Sequence, residues 1–216
     1  QSLGEAAACG NPRRYLAQQK RSPPFSPACA SSRTEPQAQA SIKILISEIQ
    51  AGTETNGSED EFVELYNPNA QSVDLVGWSL KKKTSTGTES NLVSSASFSG
   101  TIAPKSFFLI AHANYQGAKT KDLTYSANSN NLAYTNNSVV LYDTSNNVID
   151  EANWTDIPKS QSLERKALID GACATSQNSG EYLGNGCDTD SMSDFELRAV
   201  PNPQNTQSLL EPRSAP

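Results

Sequence analysis

An antiparallel β-sandwich or barrel is the fold this 216-residue sequence predicts, and three observations predict it. From residue 42 onward, short runs rich in β-branched and aromatic residues are separated by clusters of Gly, Asn, Pro and Ser. Helical periodicity is nearly absent from these runs. No helical segment intervenes between them, as crossovers in a parallel sheet would require.

The strands are expected at about 42–50, 61–67, 77–83, 106–112, 138–143 and 147–154, with weaker ones near 96–102 and 161–166. In the first, "IKILISEIQ", a period of two places Ile42, Ile44, Ile46 and Glu48 on one face. In the second, "EFVELYN", it places Glu64 between Phe62 and Tyr66. "YDTSNNVID" reads as a hairpin, because Ser145, Asn146 and Asn147 supply turn residues between two alternating runs. The polar stretch 113–137 is expected as a surface excursion with one short strand near 123–125. After Arg165 the chain is irregular through 167–193 and returns in "FELRAVPNP" as an edge strand, since Pro201 and Pro203 bar a central one.

Residues 1–41 differ from everything that follows. They carry five of the twelve prolines and no valine or isoleucine before residue 42, apart from any core of their own. Arg13, Arg14, Lys20, Arg21 and Arg33 face only Glu5 and Glu35, a net of +3 within a chain of net −6, which leaves −9 for the remainder. A basic arm is therefore joined to an acidic body. The acidic balance argues against nucleic acid or an anionic membrane surface as the main partner, and no apolar run approaches the roughly 18 residues of a membrane span. "AQA" at 38–40 has the form of a leader cleavage site but lacks the apolar stretch before it, so Gln1 is read as the start of a mature chain.

Four cysteines allow three connectivities, and no CxxC pattern points to zinc or redox use. The local pairs, Cys9 with Cys29 and Cys173 with Cys187, are the expected disulfides, each cross-linking an irregular end. Asn56, Asn136 and Asn153 head glycosylation sequons. Disulfides and sequons together suggest a secreted, extracellular or cell-surface setting.

Glu48 and Glu64 are the main chemical candidates. As a glycosidase-like pair they would have to stand roughly 5–10 Å apart in a cleft. As structural carboxylates they would accept backbone N–H bonds and fix the turns after "NPNAQS" and before "GW". The second reading is favoured, because a small sandwich leaves little room for a cleft between its sheets. His112, the only histidine, lacks the context of a catalytic triad. No cofactor is expected; calcium is the least implausible metal, with Asp188, Asp190 and Asp194 as weak candidates in a loop that misses the EF-hand register. Trp78 and Trp154 are expected in the core, while Tyr115, Tyr125 and Tyr134 are candidate binding-loop aromatics.

In order along the chain, "ILISEI", "DEFVELYNPNAQSVDLVGWSL", "GTIAPKSFFLIA", "NNSVVLYDTSNNVIDEANW", "SLERK" and "DFELRAVPNPQN" resemble the lamin tail domain family in its bacterial and archaeal secreted form. The resemblance implies an immunoglobulin-like β-sandwich that is generally non-catalytic. There is no heptad rod, so a nuclear filament role does not carry over. The expected organisation is an arm at 1–41, a sandwich at 42–206 and a tail at 207–216. The expected function is that of a secreted structural or interaction protein, a homo-oligomer or homopolymer joined through its arm. The alternative is a monomeric adhesion module for a cell-surface glycan or protein.

Overall fold

The computed structural model describes residues 42–127, 129–177 and 180–214. Cys9, Cys29, Arg13, Arg14, Lys20 and Arg21 lie outside the described residues. The first half of the body forms β1 (Leu45–Gln50), β2 (Phe62–Tyr66), β3 (Val73–Asp74), β4 (Ser79–Thr84), β5 (Glu89–Val93), β6 (Thr101–Ile102) and β7 (Phe107–Ala111). The second half forms β8 (Leu123–Thr124), β9 (Thr135–Tyr142), β10 (Val148–Asp156), β11 (Ser162–Arg165), β12 (Leu168–Ile169), β13 (Ala172–Cys173) and β14 (Phe195–Arg198). Six strands make one sheet in the order β14-β11-β1-β2-β7-β8, and four make another, β10-β9-β4-β5. Neighbours within these sheets are antiparallel except β7 with β8. No described helix is long and apolar enough to cross a membrane.

The two sheets enclose one core. Ile46, Val63, Leu65 and Ile110 from the larger sheet meet Leu80, Val139, Leu141 and Trp154 from the smaller, with Trp78 and Phe98 closing the ends. Each such side chain, fully buried, contributes roughly 1.5–3 kcal/mol. In β1, β2 and β7 every residue is buried, including those pointing away from this core. Both faces of the larger sheet are therefore covered, which explains why "FFLIA" reads as a continuous apolar run and not an alternating one. On the outer face Phe62, Leu109, Ala111 and Tyr115 form a second apolar cluster, with Phe62 and Tyr115 meeting edge to face at 5.9 Å.

One polar side chain is built into the heart of the sandwich. Arg165, 2% exposed, donates from Nε to the Ile46 carbonyl (2.7 Å), from Nη1 to the Cys187 carbonyl (2.8 Å) and from Nη2 to Asp150 Oδ2 (2.6 Å). The Phe195 ring lies against the guanidinium, 4.4 Å from its carbon. The same Asp150 oxygen accepts the Ile46 N–H at 2.6 Å. Arg165 and Ile46 belong to one sheet and Asp150 to the other, so this group ties the layers together at one side.

The Cys173–Cys187 disulfide forms as expected. A hairpin, β12-β13, leads into the loop it closes, turned by Asp170 and Gly171 at φ 49° and 81°. Asp-Gly between paired strands is the composition of a type I′ turn, which needs positive φ at both positions. The Ser145–Asn147 hairpin is present too: Asn146 has φ 62°, and the Asp143 carboxylate accepts the Ser145 and Asn147 amides, both at 2.8 Å.

Several expectations need correction. β5 was not anticipated, because "ESNLV" turns only Leu92 and Val93 inward and takes its place by pairing with β4 around Gly87. The run expected at 96–102 is a strand only over Thr101–Ile102. Residues 207–213 are not a free tail: Glu211 is buried, its amide bonds the Lys105 carbonyl (2.9 Å), and its carbonyl accepts the Tyr66 hydroxyl (2.8 Å). The "FELR" strand does lie at a sheet edge, as β14.

Two stability experiments test this description. Arg165→Met leaves the Asp150 carboxylate buried without its cation and should cost about 3–5 kcal/mol in urea unfolding, with part regained in Arg165→Met/Asp150→Asn. An unchanged midpoint for the single variant would show that the pair does not join the sheets. Replacing Cys173 and Cys187 together by Ala should cost on the order of 3 kcal/mol, because the bridge spans a 14-residue separation. Free thiols at both positions in the oxidised protein would contradict the bridge itself.

Candidate functional site

Sequence periodicity placed Glu48 on the same face as Ile44 and Ile46, and the structure places it on the opposite one. The β1–β2 register runs Ile46 to Leu65 and then Glu48 to Glu64, so Ser47 is the extra residue of a β-bulge. After the bulge the alternation shifts by one. Ile46 and Ile49 face the core, while Glu48 faces outward beside Glu64. The register continues across the sheet: Glu48 stands opposite Glu164 on β11, and Glu164 opposite Glu196 on β14. Four strands thus contribute a row of glutamates, of which Glu48 and Glu64 are each only 1% exposed.

The segment 201–211 crosses over this row, and the carboxylates hold it there. Glu48 Oε1 accepts the Ser162 hydroxyl (2.5 Å) and the Asn202 amide (3.1 Å). Glu64 Oε1 accepts the Ser47 hydroxyl (2.6 Å), and its Oε2 accepts the Gln204 amide. Asp122 bonds Thr206 N–H (3.1 Å) and Oγ1, and Asn205 Nδ2 donates to the Thr120 carbonyl (2.9 Å). The loops expected to be held by the glutamates are held otherwise. Asn67 Nδ2 reaches the carbonyls of Gln71, Ile102 and Ala103, and Asp74 Oδ1 accepts the Val76 amide.

Among the described residues, positive charge stands at one end of the row, on Arg198. Arg198 contacts Glu164 (3.1 Å), Glu181 (2.7 Å) and Glu196 (3.5 Å). Burial pushes the Glu48 carboxyl up to about 7, against the pull of its two hydrogen bonds and of Arg198. Burial, reinforced by the charge of Glu48, raises Glu164 to about 8 and Glu64 well above the ordinary range. Glu48, Glu64 and Glu164 thus hold their protons more firmly than free carboxylates do. A recess of about 230 Å³ between Phe62, Tyr115, Pro201 and Pro203 is lined by neither Glu48 nor Glu64.

Other candidates are engaged in structure as well. Tyr115 and Tyr125 are buried and Tyr134 packs partly against the core, so these rings do not form a loop platform. They face inward because 113–137 folds back over the sheet: Tyr125 N–H bonds the Ala111 carbonyl and Ser126 N–H the Leu92 carbonyl. Trp78 and Trp154 lie in the core, Trp154 Nε1 bonding the Ala133 carbonyl (3.0 Å). His112 Nδ1 accepts the Asn114 amide at 3.2 Å, a turn contact. Asp188 pairs with Lys43 and Arg165. Asp194 caps its 3₁₀ turn, accepting Thr189 N–H and Oγ1 and Ser191 N–H; burial alone would raise its carboxyl, but these bonds and Arg165 outweigh it and hold it low. Their oxygens are thus already engaged, and Asp190 does not gather with them into a three-carboxylate group. Asn56, Asn136 and Asn153 are all exposed, although Asn56 Nδ2 also bonds Asp60.

Glu61 is a further buried carboxylate outside this row. It is fully buried, with Oε1 accepting the Leu132 amide (2.9 Å) and Oε2 without a hydrogen-bond partner, and burial lifts its carboxyl to about 8. Ser162 and Glu164 were legible in principle, since "SLER" alternates and places them on one face once β11 is set beside β1.

The family described as Lamin Tail Domain matches residues 37–156, more than half of the chain. That span contains β1 to β10 and stops before β11 and β14, which add to the same sheet. No curated protein matches the chain significantly.

The carboxylates make stability depend on pH in a stated direction. In the unfolded chain they release protons near 4.5, while in the fold Glu48 does so at about 7 and Glu61 and Glu164 at about 8. Between these values the folded protein binds the extra protons, so stability is greatest below about 4.5 for these groups and is lost as pH rises to about 8. The melting temperature should fall over that interval, and Glu48→Gln should flatten the fall. A rise in melting temperature from pH 5 to pH 8 would show that the row is ionised throughout.

Proposed function

Because the chain belongs to the lamin tail domain family, we propose that it is a non-catalytic structural or interaction protein of the extracellular space that assembles with copies of itself through residues 1–41. The observation that carries this reading is the division of charge within one chain, +3 before residue 41 and −9 after it. Opposite patches on one molecule attract between copies, and head-to-tail contacts whose rotation does not close into a ring build filaments or layers. The Cys173–Cys187 bridge suits an oxidising compartment. Buried carboxylates are engaged in holding the chain: Glu48 and Glu64 on the segment 201–211, Asp150 on Arg165, Asp194 on its own turn.

A monomeric adhesion or glycan-binding module is the second reading. It would need aromatic side chains at an exposed surface, and the inward packing of Tyr115 and Tyr125 weighs against it.

Sedimentation separates the two. The core cluster lies entirely between Ile44 and Phe195, so the fragment 42–216 should fold and remain monomeric, while the full chain associates. Reversing charge at Arg13, Arg14, Lys20 and Arg21 should weaken association in a salt-dependent manner if the contact is peripheral. Equal monomeric behaviour of full chain and fragment would end the assembly reading and leave the adhesion module.

A further inference from the structure

Assembly through residues 1–41 requires a receiving surface, and the sheet edges differ in what already occupies them. On the smaller sheet, one edge is β5, whose Asn91 and Leu92 carbonyls accept Asn130 Nδ2 (3.0 Å) and the Ser126 amide (2.8 Å). That edge is covered by Ser126 and Asn130. On the larger sheet, the Leu197 carbonyl of β14 accepts Gln177 Nε2 (3.3 Å), and β8 at the other edge is two residues long. β10 stands apart from all of these. It has nine residues and pairs, among the described residues, with β9 alone. No described loop bonds its backbone, and the Glu151 amide bonds the adjoining Asp150 carboxylate at 3.0 Å. An edge with unmet amides and carbonyls is a template for a further strand.

Beside this edge runs a cleft of about 270 Å³, bounded by Val148, Glu151 and Asn153 on β10 and by Asp190, Met192 and Phe195 across from it. Val148 and Met192 are 57% and 49% exposed, which gives the rim an apolar lip. Its charge is acidic: Glu151 is half-buried beside Lys83 (3.1 Å), and Asp190 makes no ion pair among the described residues.

We propose that residues 13–21 of a second copy add to β10 as a fifth strand of the smaller sheet, with their side chains along this cleft. The inference rests on the assembly reading and names its site. "RRYLAQQKR" is the stretch before residue 42 that combines four basic residues with freedom from proline, lying between Pro12 and Pro23. Every residue in it offers the N–H that strand addition needs. It has nine residues, the length of β10. Side chains of a strand alternate between its faces, and either face that meets the cleft brings an apolar contact for Val148 and Met192 and a basic complement to Glu151 and Asp190: Tyr15 with Arg13 and Arg21, or Leu16 with Arg14 and Lys20.

The test uses the full chain carrying Val148→Lys and Met192→Lys, both exposed positions whose replacement leaves the core intact. Sedimentation velocity should show association weakened by about tenfold or more, since two cations then confront the incoming basic segment, at an unchanged melting temperature. In a second measurement, excess synthetic peptide spanning residues 12–22 should dissociate oligomers of the unmodified chain. Undiminished association of the variant, or oligomers indifferent to the peptide, would overturn the β10 site; if the 42–216 fragment is still monomeric, assembly through the N-terminal segment stands without it. A full chain that is itself monomeric would overturn both.

Discussion

The guanidinium of Arg165 is the point from which this sandwich is organised. A buried cation is costly unless each donor is met, and here Nε, Nη1 and Nη2 each reach an oxygen on a different segment: β1, the disulfide loop and β10. Those three segments can lie only where the guanidinium fork allows. The apolar core supplies most of the free energy, but apolar contacts tolerate sliding. Directional bonds from one planar group do not, so the relative placement of the sheets at this side, and of the irregular loop 167–193, follows from Arg165.

The second constraint is the bulge at Ser47. Placing two residues opposite one turns Ser47 and Glu48 toward Glu64 on the outer face, where they meet Ser162 and the amides of Asn202 and Gln204. The segment 201–211 thereby becomes a cover for a face that would otherwise expose Phe62, Leu109 and a row of glutamates. Like charges on neighbouring strands would repel at full ionisation, and burial relieves the repulsion by keeping protons on the row near neutrality. The same carboxylates that resemble an acid/base pair in the sequence are withdrawn from solvent by the chain they anchor.

Among the described residues, these two devices leave one long sheet edge, β10, that no loop bonds. β5 and β14 have side chains across their backbone groups, and β10 does not. An edge of nine residues that no described loop bonds is a template for a further strand, the contact we propose for residues 13–21 of a second copy. Its acidic rim and the basic segment of the same chain are complementary in sign.

Much of the fold was legible from local pattern. Alternation and turn composition located β1, β2, β4, β7, β9, β10, β11 and β14, and the spacing of Cys173 and Cys187 pointed to their bridge. β5 was not legible, because its polar residues carry little strand preference and only pairing with β4 makes it a strand. The Asp170-Gly171 turn was legible and was overlooked. The candidate site was legible as residue types but not as geometry. Glu48 and Glu64 stood out as carboxylates among apolar neighbours, yet the face of Glu48 depended on a bulge that appears only when β1 is paired with β2. Tyr115 and Tyr125 looked exposed because their neighbours are polar, and they are buried because 113–137 returns over the sheet. By itself the sequence determined the class of fold, the division of charge and the disulfide of the irregular loop, since composition and short-range spacing govern these. Only the tertiary structure decided which carboxylates meet, which segment covers them and which edge remains open, because each depends on the register between strands distant in sequence.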